Sequence, residues 1–375
     1  MAAPRDRPRP RFVTALSSDH QAVIGGKHGL ARRRPDKSLA RFERIALVLS
    51  GGGALGAYQA GAYAALEGSG VRPNWIAGTA IGAINAAIIA GSLPHERVLR
   101  LRHFWMEVGR HQQDLRRQDA NGWRSAFANW LIGRRRAARF PPSYERPVIS
   151  TAALRAMLGE VVDFDRINSG GLRVVLGAVN LATGAETLFD NDRHVLGVDH
   201  VLAGTPFPGM PAVTIGRQRF AGSAISVSAL DDSRPADTLC FAIDGYDPVP
   251  GGHGGFSRSA RDIVALRRTH DLRRMIALLG EQLPSALRGN VEVRRCLAEA
   301  STATMTILHL VHEGSAADLD AKMRDFSPAA VARRWKAGES DVTTSLAHPR
   351  WLAPPSRLSG VVVHELRGGV AAPPH

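Results

Sequence analysis

The chain has 375 residues, 44% hydrophobic and 22% charged, so a packed core in one large or two smaller domains is expected. Two cysteines, Cys240 and Cys296, exclude a disulfide framework and a four-cysteine metal site, and read as cytoplasmic usage. The net charge of +14, mostly arginine, suits phosphate-bearing partners (anionic lipid or nucleic acid) or simply an arginine-rich solvated surface.

Residues 1–42 are rich in Pro, Arg, Gly and Ser without apolar periodicity, and are expected to form a disordered basic arm. No apolar run of the kind a secretory signal needs occurs there. Ile45 to Ser50 is a short apolar run ending in glycine, which predicts a buried parallel strand. Tyr58 to Glu67 is Ala-rich and helical, Trp75 to Thr79 is a second short strand, and Ile81 to Ala90 a second helix. That order predicts a right-handed βαβ unit and a parallel sheet. Trp75 to Gly91 is apolar but contains Gly78, Gly82 and Asn85 and is too short to span a bilayer.

Residues 101–147 interleave Phe104, Trp105, Trp123, Phe127 and Trp130 with Arg116, Arg117, Arg124 and Arg134 to Arg136. The pattern fits either a membrane interface or a cap helix whose aromatics pack on the core. Val174 to Leu181 and Glu186 to Phe189 read as strands around the Ala182-Thr183-Gly184 turn, and Val213 to Ile215 with Gln218 to Phe220 as a hairpin. Thr238 to Ile243 is another apolar strand, Ser259 to Leu279 a long basic helix, and Thr306 to Val311 a return to the sheet. Ser327-Pro328 is a helix start, with serine as cap and proline at the first helical position. The histidines show no metal-ligand spacing; His309 and His312 read as structural, and no metal or cofactor is expected.

The chemistry concentrates at Ser50-Gly51-Gly52-Gly53-Ala54-Leu55-Gly56, between a strand and a helix. Backbone N–H groups of such a loop, beside a helix N-terminus, make an anion site. Gly51, Gly53 and Gly56 have the spacing of a dinucleotide loop, but no acidic residue lies between Glu67 and Glu96 to hold a ribose. A Walker loop needs a terminal Gly-Lys-Ser/Thr, which Leu55-Gly56-Ala57 lacks. The remaining reading is an oxyanion hole, whose N–H groups stabilise a tetrahedral acyl intermediate. It gains from Gly78-Thr79-Ala80-Ile81-Gly82, a G-x-S-x-G frame at a strand-to-helix turn with alanine where serine would stand.

In these residues the chain resembles the patatin-like phospholipase family of α/β lipid acyl hydrolases, and within it a bacterial branch with a long C-terminal extension. The resemblance covers roughly residues 43–345. Its further marks are Val162 to Ser169, Val179 to Gly184, and Pro206 to Pro211 ahead of a second motif at Phe220-Ala221-Gly222-Ser223. It implies a three-layer α/β fold with a mainly parallel central sheet flanked by helices over residues 43–245, and a helical extension over residues 246–375. In this family a serine nucleophile is activated by an aspartate of a D-G-[GA] motif, without histidine. The resemblance therefore puts oxyanion donors at Gly51, Gly52, Gly53 and Ala54, and the elbow frame at Gly78 and Gly82. It puts the nucleophile position at Ala80 and the base position at Ala221, ahead of Gly222.

Ala80 has no oxygen and Ala221 no carboxylate. Loss of a catalytic serine alone costs on the order of 10⁶ in turnover, and loss of its base adds little because the two act as a unit. Gly222 to Leu230 also departs from the family's usual pattern, as relaxed constraint would allow. Thr79, Ser50, Ser223, Ser226, Asp231 and Asp232 are the polar residues nearest in sequence that an active hydrolase with a non-standard nucleophile would have to use. The expectation is a hydrolase homologue with impaired chemistry that binds phospholipid or another acyl lipid, with peripheral contact to anionic membrane. A nucleic-acid partner rests on net charge alone and is not expected, because no recognised motif accompanies it.

Overall fold

The computed structural model describes residues 37–131, 149–205, 211–222, 227–230, 235–244, 258–312, 323–347, 351, 353, 355, 359–367 and 370–371. Among these, eight strands form one sheet in the order β10-β9-β8-β7-β1-β2-β3-β4. They are β1 (Arg44–Leu49), β2 (Trp75–Gly78), β3 (Arg173–Val179), β4 (Glu186–Asp190), β7 (Thr238–Asp244), β8 (Met305–Val311), β9 (Val361–Arg367) and β10 (Val370–Ala371). A separate hairpin pairs β5 (Val213–Ile215) with β6 (Gln218–Phe220) across Gly216-Arg217. The run from β9 to β3 is parallel throughout, and only the edge strands β10 and β4 are antiparallel.

Central parallel strands are covered on both faces, so they read as unbroken apolar runs rather than alternating ones. All residues of β2, β7 and β8 are buried. On one face Leu47, Leu49, Phe241, Ile243, Leu308 and Leu310 join the larger core; on the other, Ala46, Val48, Cys240, Ala242, Met305 and Ile307 form a smaller one. The larger core holds α1 (Gly56–Gly68), α2 (Ile81–Ala90), the start of α3 (Arg97–Leu131) and α4 (Thr151–Val161). Helix α2 is apolar apart from Asn85 and buried at every position, as a helix of that composition requires.

The segment after residue 245 does more than add helices to the core. It supplies α7 (Arg258–Gln282), α8 (Ser285–Arg288), α9 (Val291–Ala298) and α10 (Pro328–Leu346), and it also extends the sheet by β8, β9 and β10. The physical reason is that β7 would otherwise be an edge strand with seven buried positions, five of them apolar, and β8 satisfies its ladder. Helix α10 starts on Ser327, whose hydroxyl accepts from the Ala330 N–H at 3.4 Å, with Pro328 at the first position. It crosses α1 at backbone contact. A Cβ on Gly61 would lie 2.0 Å from the Trp335 carbonyl oxygen, and one on Gly338 would lie 2.1 Å from that of Tyr58. The Tyr58 hydroxyl donates to Asp341 Oδ2 at 2.8 Å across the same seam.

The expected N-terminal arm needs one correction. Lys37–Arg41 forms a 3-10 turn, and Leu39 and Phe42 are buried, so ordered structure begins ahead of residue 43. Two apolar side chains three positions apart meet the core there and offset the cost of ordering the turn. Residues 1–36 lie outside the described residues. In α3, Leu101, Phe104, Trp105 and Val108 are buried against the core. The side chains of Trp123, Phe127 and Trp130, and residues 132–148, lie outside the described residues. No described helix is long and apolar enough to cross a membrane.

Candidate active site

Strands β1, β2 and β3 are parallel neighbours, so their carboxyl ends open onto one edge of the sheet. The glycine loop leaves β1 there. Gly52 has φ 149° and Gly53 φ 54°, both in the region that a side chain disfavours, and the chain then enters a 3-10 turn (Gly53–Leu55) before α1. Among the described residues, the N–H groups of Gly52 and Gly53 donate to no backbone carbonyl. Gly51, Gly52 and Gly53 are partly exposed, whereas Ala54 is buried.

The elbow leaves β2 beside this loop. Among the described non-glycine residues only Ala80 has positive φ, at φ 50° and ψ −125°. The Gly82 N–H donates to the Thr79 carbonyl at 2.7 Å, so Ala80 occupies the first central position of a type II′ turn. That conformation costs an alanine about 1–3 kcal/mol and persists only where the surroundings fix it. They do so here. The Thr205 hydroxyl shares its proton between the carbonyls of Val201 (2.6 Å) and Ala80 (3.0 Å), and the Thr79 N–H donates to the Leu49 carbonyl at 3.0 Å. The glycine frame is steric: a Cβ on Gly82 would lie 2.0 Å from the Leu49 carbonyl oxygen, and one on Gly78 would lie 2.5 Å from that of Gly82. The turn holds the Ala80 side chain against the glycine loop, partly exposed.

The β5–β6 hairpin carries Ala221 to the end of β3. The Ala221 N–H donates to the Val179 carbonyl at 3.1 Å, and the Gly222 carbonyl accepts from the Val179 N–H at 2.8 Å. Val179 closes β3, and Gly78, at the end of β2, pairs with Leu176 of that strand. Ala80 thus follows β2, and Ala221 bonds to the end of the neighbouring β3, at the same edge of the sheet. Gly222 stands at φ 68°, in the region that a side chain disfavours.

The polar residues near the two alanines differ in position. The Ser50 hydroxyl is spent on the carbonyls of Ile243 (3.3 Å) and Gly51 (3.4 Å). Thr79 is buried, with 1% of its surface exposed. Ser223, Ser226, Asp231 and Asp232, with Pro206 to Met210, lie outside the described residues.

Two supporting features carry no sequence signal of their own. Beneath the glycine loop, the buried Trp105 indole N–H donates to Asn85 Oδ1 at 3.0 Å. Asn85 Nδ2 donates to the Gly56 carbonyl (2.9 Å) and Gln59 Oε1 (3.1 Å), and Gln59 Nε2 donates to the Ser50 carbonyl at 2.6 Å. The chain of bonds ties α3, α2 and α1 to the last residue before the loop. Further along the edge, His309 Nε2 and Asp244 Oδ2 are 2.7 Å apart, both nearly fully buried. His312 meets the Tyr58 ring edge-on at 5.0 Å. Among the described residues, no group of three His, Cys, Asp or Glu side chains is placed to hold a metal ion.

Two of the motifs quoted from the sequence are local architecture. Asn180 Oδ1 accepts from the Ala182 N–H at 2.9 Å and shapes the β3–β4 turn. Asp163 caps the short helix α5 (Phe164–Asn168) through the Arg166 N–H at 3.0 Å, and Asn168 clasps Leu196 in both directions.

A family model described as patatin-like phospholipase matches residues 47–245, and a second, described as patatin phospholipase, matches residues 256–358. A curated relative, lysophospholipase nte1 of Aspergillus terreus (strain NIH 2624 / FGSC A1156), is 44% identical over 77 residues. Those residues are 20% of this chain and 5% of the relative, so only a small part of that protein is matched. VipD from Legionella pneumophila aligns over 79% of this chain and 67% of its own, at 12% identity and a TM-score of 0.31. A structure of SpcU in complex with ExoU from the type III secretion system of Pseudomonas aeruginosa aligns over 59% of this chain and 46% of that chain. Its identity is 20% and its TM-score 0.26. With the first family model spanning more than half of its length, the chain belongs to the patatin-like phospholipase family.

Proposed function

We propose that this chain binds an acyl lipid at the patatin-like site and does not hydrolyse it. The observation that carries the reading is Ala80. It keeps the strained backbone that a nucleophile elbow needs, against a loop whose Gly52 and Gly53 N–H groups donate to no described backbone carbonyl, while the side chain has no oxygen to attack with. The base position is likewise empty of function, since Ala221 cannot take up a proton. What persists is a donor loop suited to an ester or carboxylate oxygen. Ser50 is a poor replacement nucleophile, because its hydroxyl already donates to main-chain carbonyls.

The test is a paired esterase assay on a short-chain aryl ester, with the parent chain beside the Ala80→Ser, Ala221→Asp variant. A silent parent and an active double variant are expected, with each single variant near background because the two groups act as a unit. Turnover by the parent would overturn the reading. If parent and double variant are both silent, and neither takes up a soluble acyl ligand, the site is not an acyl site.

A further inference from the structure

Helix α7 is apolar on two opposite faces. Ile263 and Leu266 turn inward and join the smaller core with Val48, Cys240 and Met305. On the other side, Val264, Leu272, Met275 and Leu279 are 49%, 59%, 57% and 61% exposed. With Arg268 they follow i, i+4, i+8, i+11 and i+15, a single stripe at 3.6 residues per turn, about 22 Å long. A soluble helix packed on a sheet normally turns charge outward; four large apolar side chains in register on the outer face are a surface built for contact.

The charge on the same element selects the partner. Helix α7 carries six arginines against three acidic residues, and Arg268 stands exposed within the stripe itself. The following helices α8 and α9 bury no residue and expose Leu287 and Val291. Apolar side chains flanked by guanidinium groups match the boundary between acyl chains and anionic phosphate headgroups. Arginine suits that boundary because its stem lies along apolar surface while its head reaches phosphate. A second copy of this chain would bring two basic helices face to face, and a nucleic acid would leave the leucines and methionine without partners.

We infer that the outer face of α7 docks on the surface of an anionic lipid bilayer, lying in the plane of the interface. The inference rests on the acyl-lipid reading for its purpose, since docking would bring the chain to the surface that holds such lipids, but the docking residues are separate from Ala80 and Ala221.

The experiment is co-sedimentation of the full chain with phosphatidylcholine vesicles, with and without phosphatidylglycerol, at low and high salt. Binding to the anionic vesicles is expected, weakening with salt. The Leu272→Glu, Met275→Glu, Leu279→Glu variant should lose at least about tenfold in partitioning, and Arg268→Glu several-fold. All four residues are exposed, and an unchanged melting midpoint will confirm that the variants fold. No binding by the parent, or equal binding by the triple variant, overturns the inference. So does a dimeric parent that becomes monomeric in the triple variant while vesicle binding stays the same, which would assign the stripe to self-association. Uptake of a soluble acyl ligand separates the two proposals. If the triple variant keeps ligand uptake and the parent ignores vesicles, only the docking fails. Vesicle binding without ligand uptake fails only the acyl site.

Discussion

A Cβ placed on Gly51 would lie 3.3 Å from the Cβ of Ala80, so the glycine loop and the tip of the elbow are in contact. That proximity is a product of topology. Gly51 follows β1 and Ala80 follows β2, and β1 pairs with β2 in parallel with Leu49 opposite Gly78. Two loops that leave the same edge of adjacent parallel strands are forced together. The absence of a side chain at 51 leaves the main chain of the loop facing whatever stands at 80.

Ala80 should be measurably strained. Glycine adopts φ 50° without the steric penalty that a Cβ brings, so Ala80→Gly should raise unfolding stability by roughly 1 kcal/mol. Ala83→Gly, in the interior of α2, should do the reverse by a similar amount, about 1 kcal/mol. Chemical denaturation of both variants checks this. Two substitutions of the same kind moving stability in the same direction would show that the elbow holds no strain.

The seam between α1 and α10 gives a larger effect. Gly61 and Gly338 each face a backbone carbonyl at a distance that no Cβ can occupy. Gly61→Ala and Gly338→Ala should each cost about 1–3 kcal/mol, because the opposing atoms are main chain and cannot rotate away. The double variant should cost less than the sum, since one separation of the helices relieves both clashes. A thermal midpoint unchanged in either single variant would mean the helices are not held this closely.

The sheet was legible because parallel strands buried on both faces leave continuous apolar runs, as in Leu47 to Leu49, and because turn residues bound them. The hairpin at Gly216-Arg217 and the cap at Ser327 stand where their turn and cap residues put them. The elbow frame was legible because Gly78 and Gly82 have a fixed spacing set by backbone contact. The placements of Gln59, Asn85 and Trp105 were not, because each bond in that network joins residues from different elements, and nothing local in the sequence marks a buried amide as paired. Gly61 and Gly338 stand 277 positions apart, and a small residue in an Ala-rich helix looks like composition until its partner helix is known. The joining of β8 and β9 to the sheet was only partly legible: an apolar run announces a strand but not its neighbour.

The network below the glycine loop should be costly to break from its middle. Asn85→Ala leaves the Trp105 indole N–H, the Gly56 carbonyl and Gln59 Oε1 without that partner in a buried setting. A buried polar group left unpaired costs about 1–3 kcal/mol, so the variant should lose at least that much. Trp105→Phe removes one donor and keeps most of the ring, and should cost less. Equal losses from the two would show that packing of the indole, rather than the amide hub, holds the helices under the loop.

Stability should also fall on mild acidification, through the half-buried His200 and the buried His364. His200 lies beside the Phe189 ring at 4.8 Å, and its Nδ1 accepts from the Gly197 N–H at 3.0 Å. Burial holds its pKa below the usual histidine value, and burial does the same at His364 on β9. Well above about pH 6.5 both rings are neutral whether the chain is folded or not, so they add no pH dependence there. Below that value the unfolded chain takes up protons that the folded chain refuses. Stability then drops as pH falls, by at most about 1.4 kcal/mol per pH unit for each ring. The measurement is the urea midpoint from about pH 7.5 down to about pH 5.5, around the histidine range. The His200→Gln, His364→Gln variant should show a flatter profile than the parent. A profile as steep as the parent's would place the proton uptake on other groups.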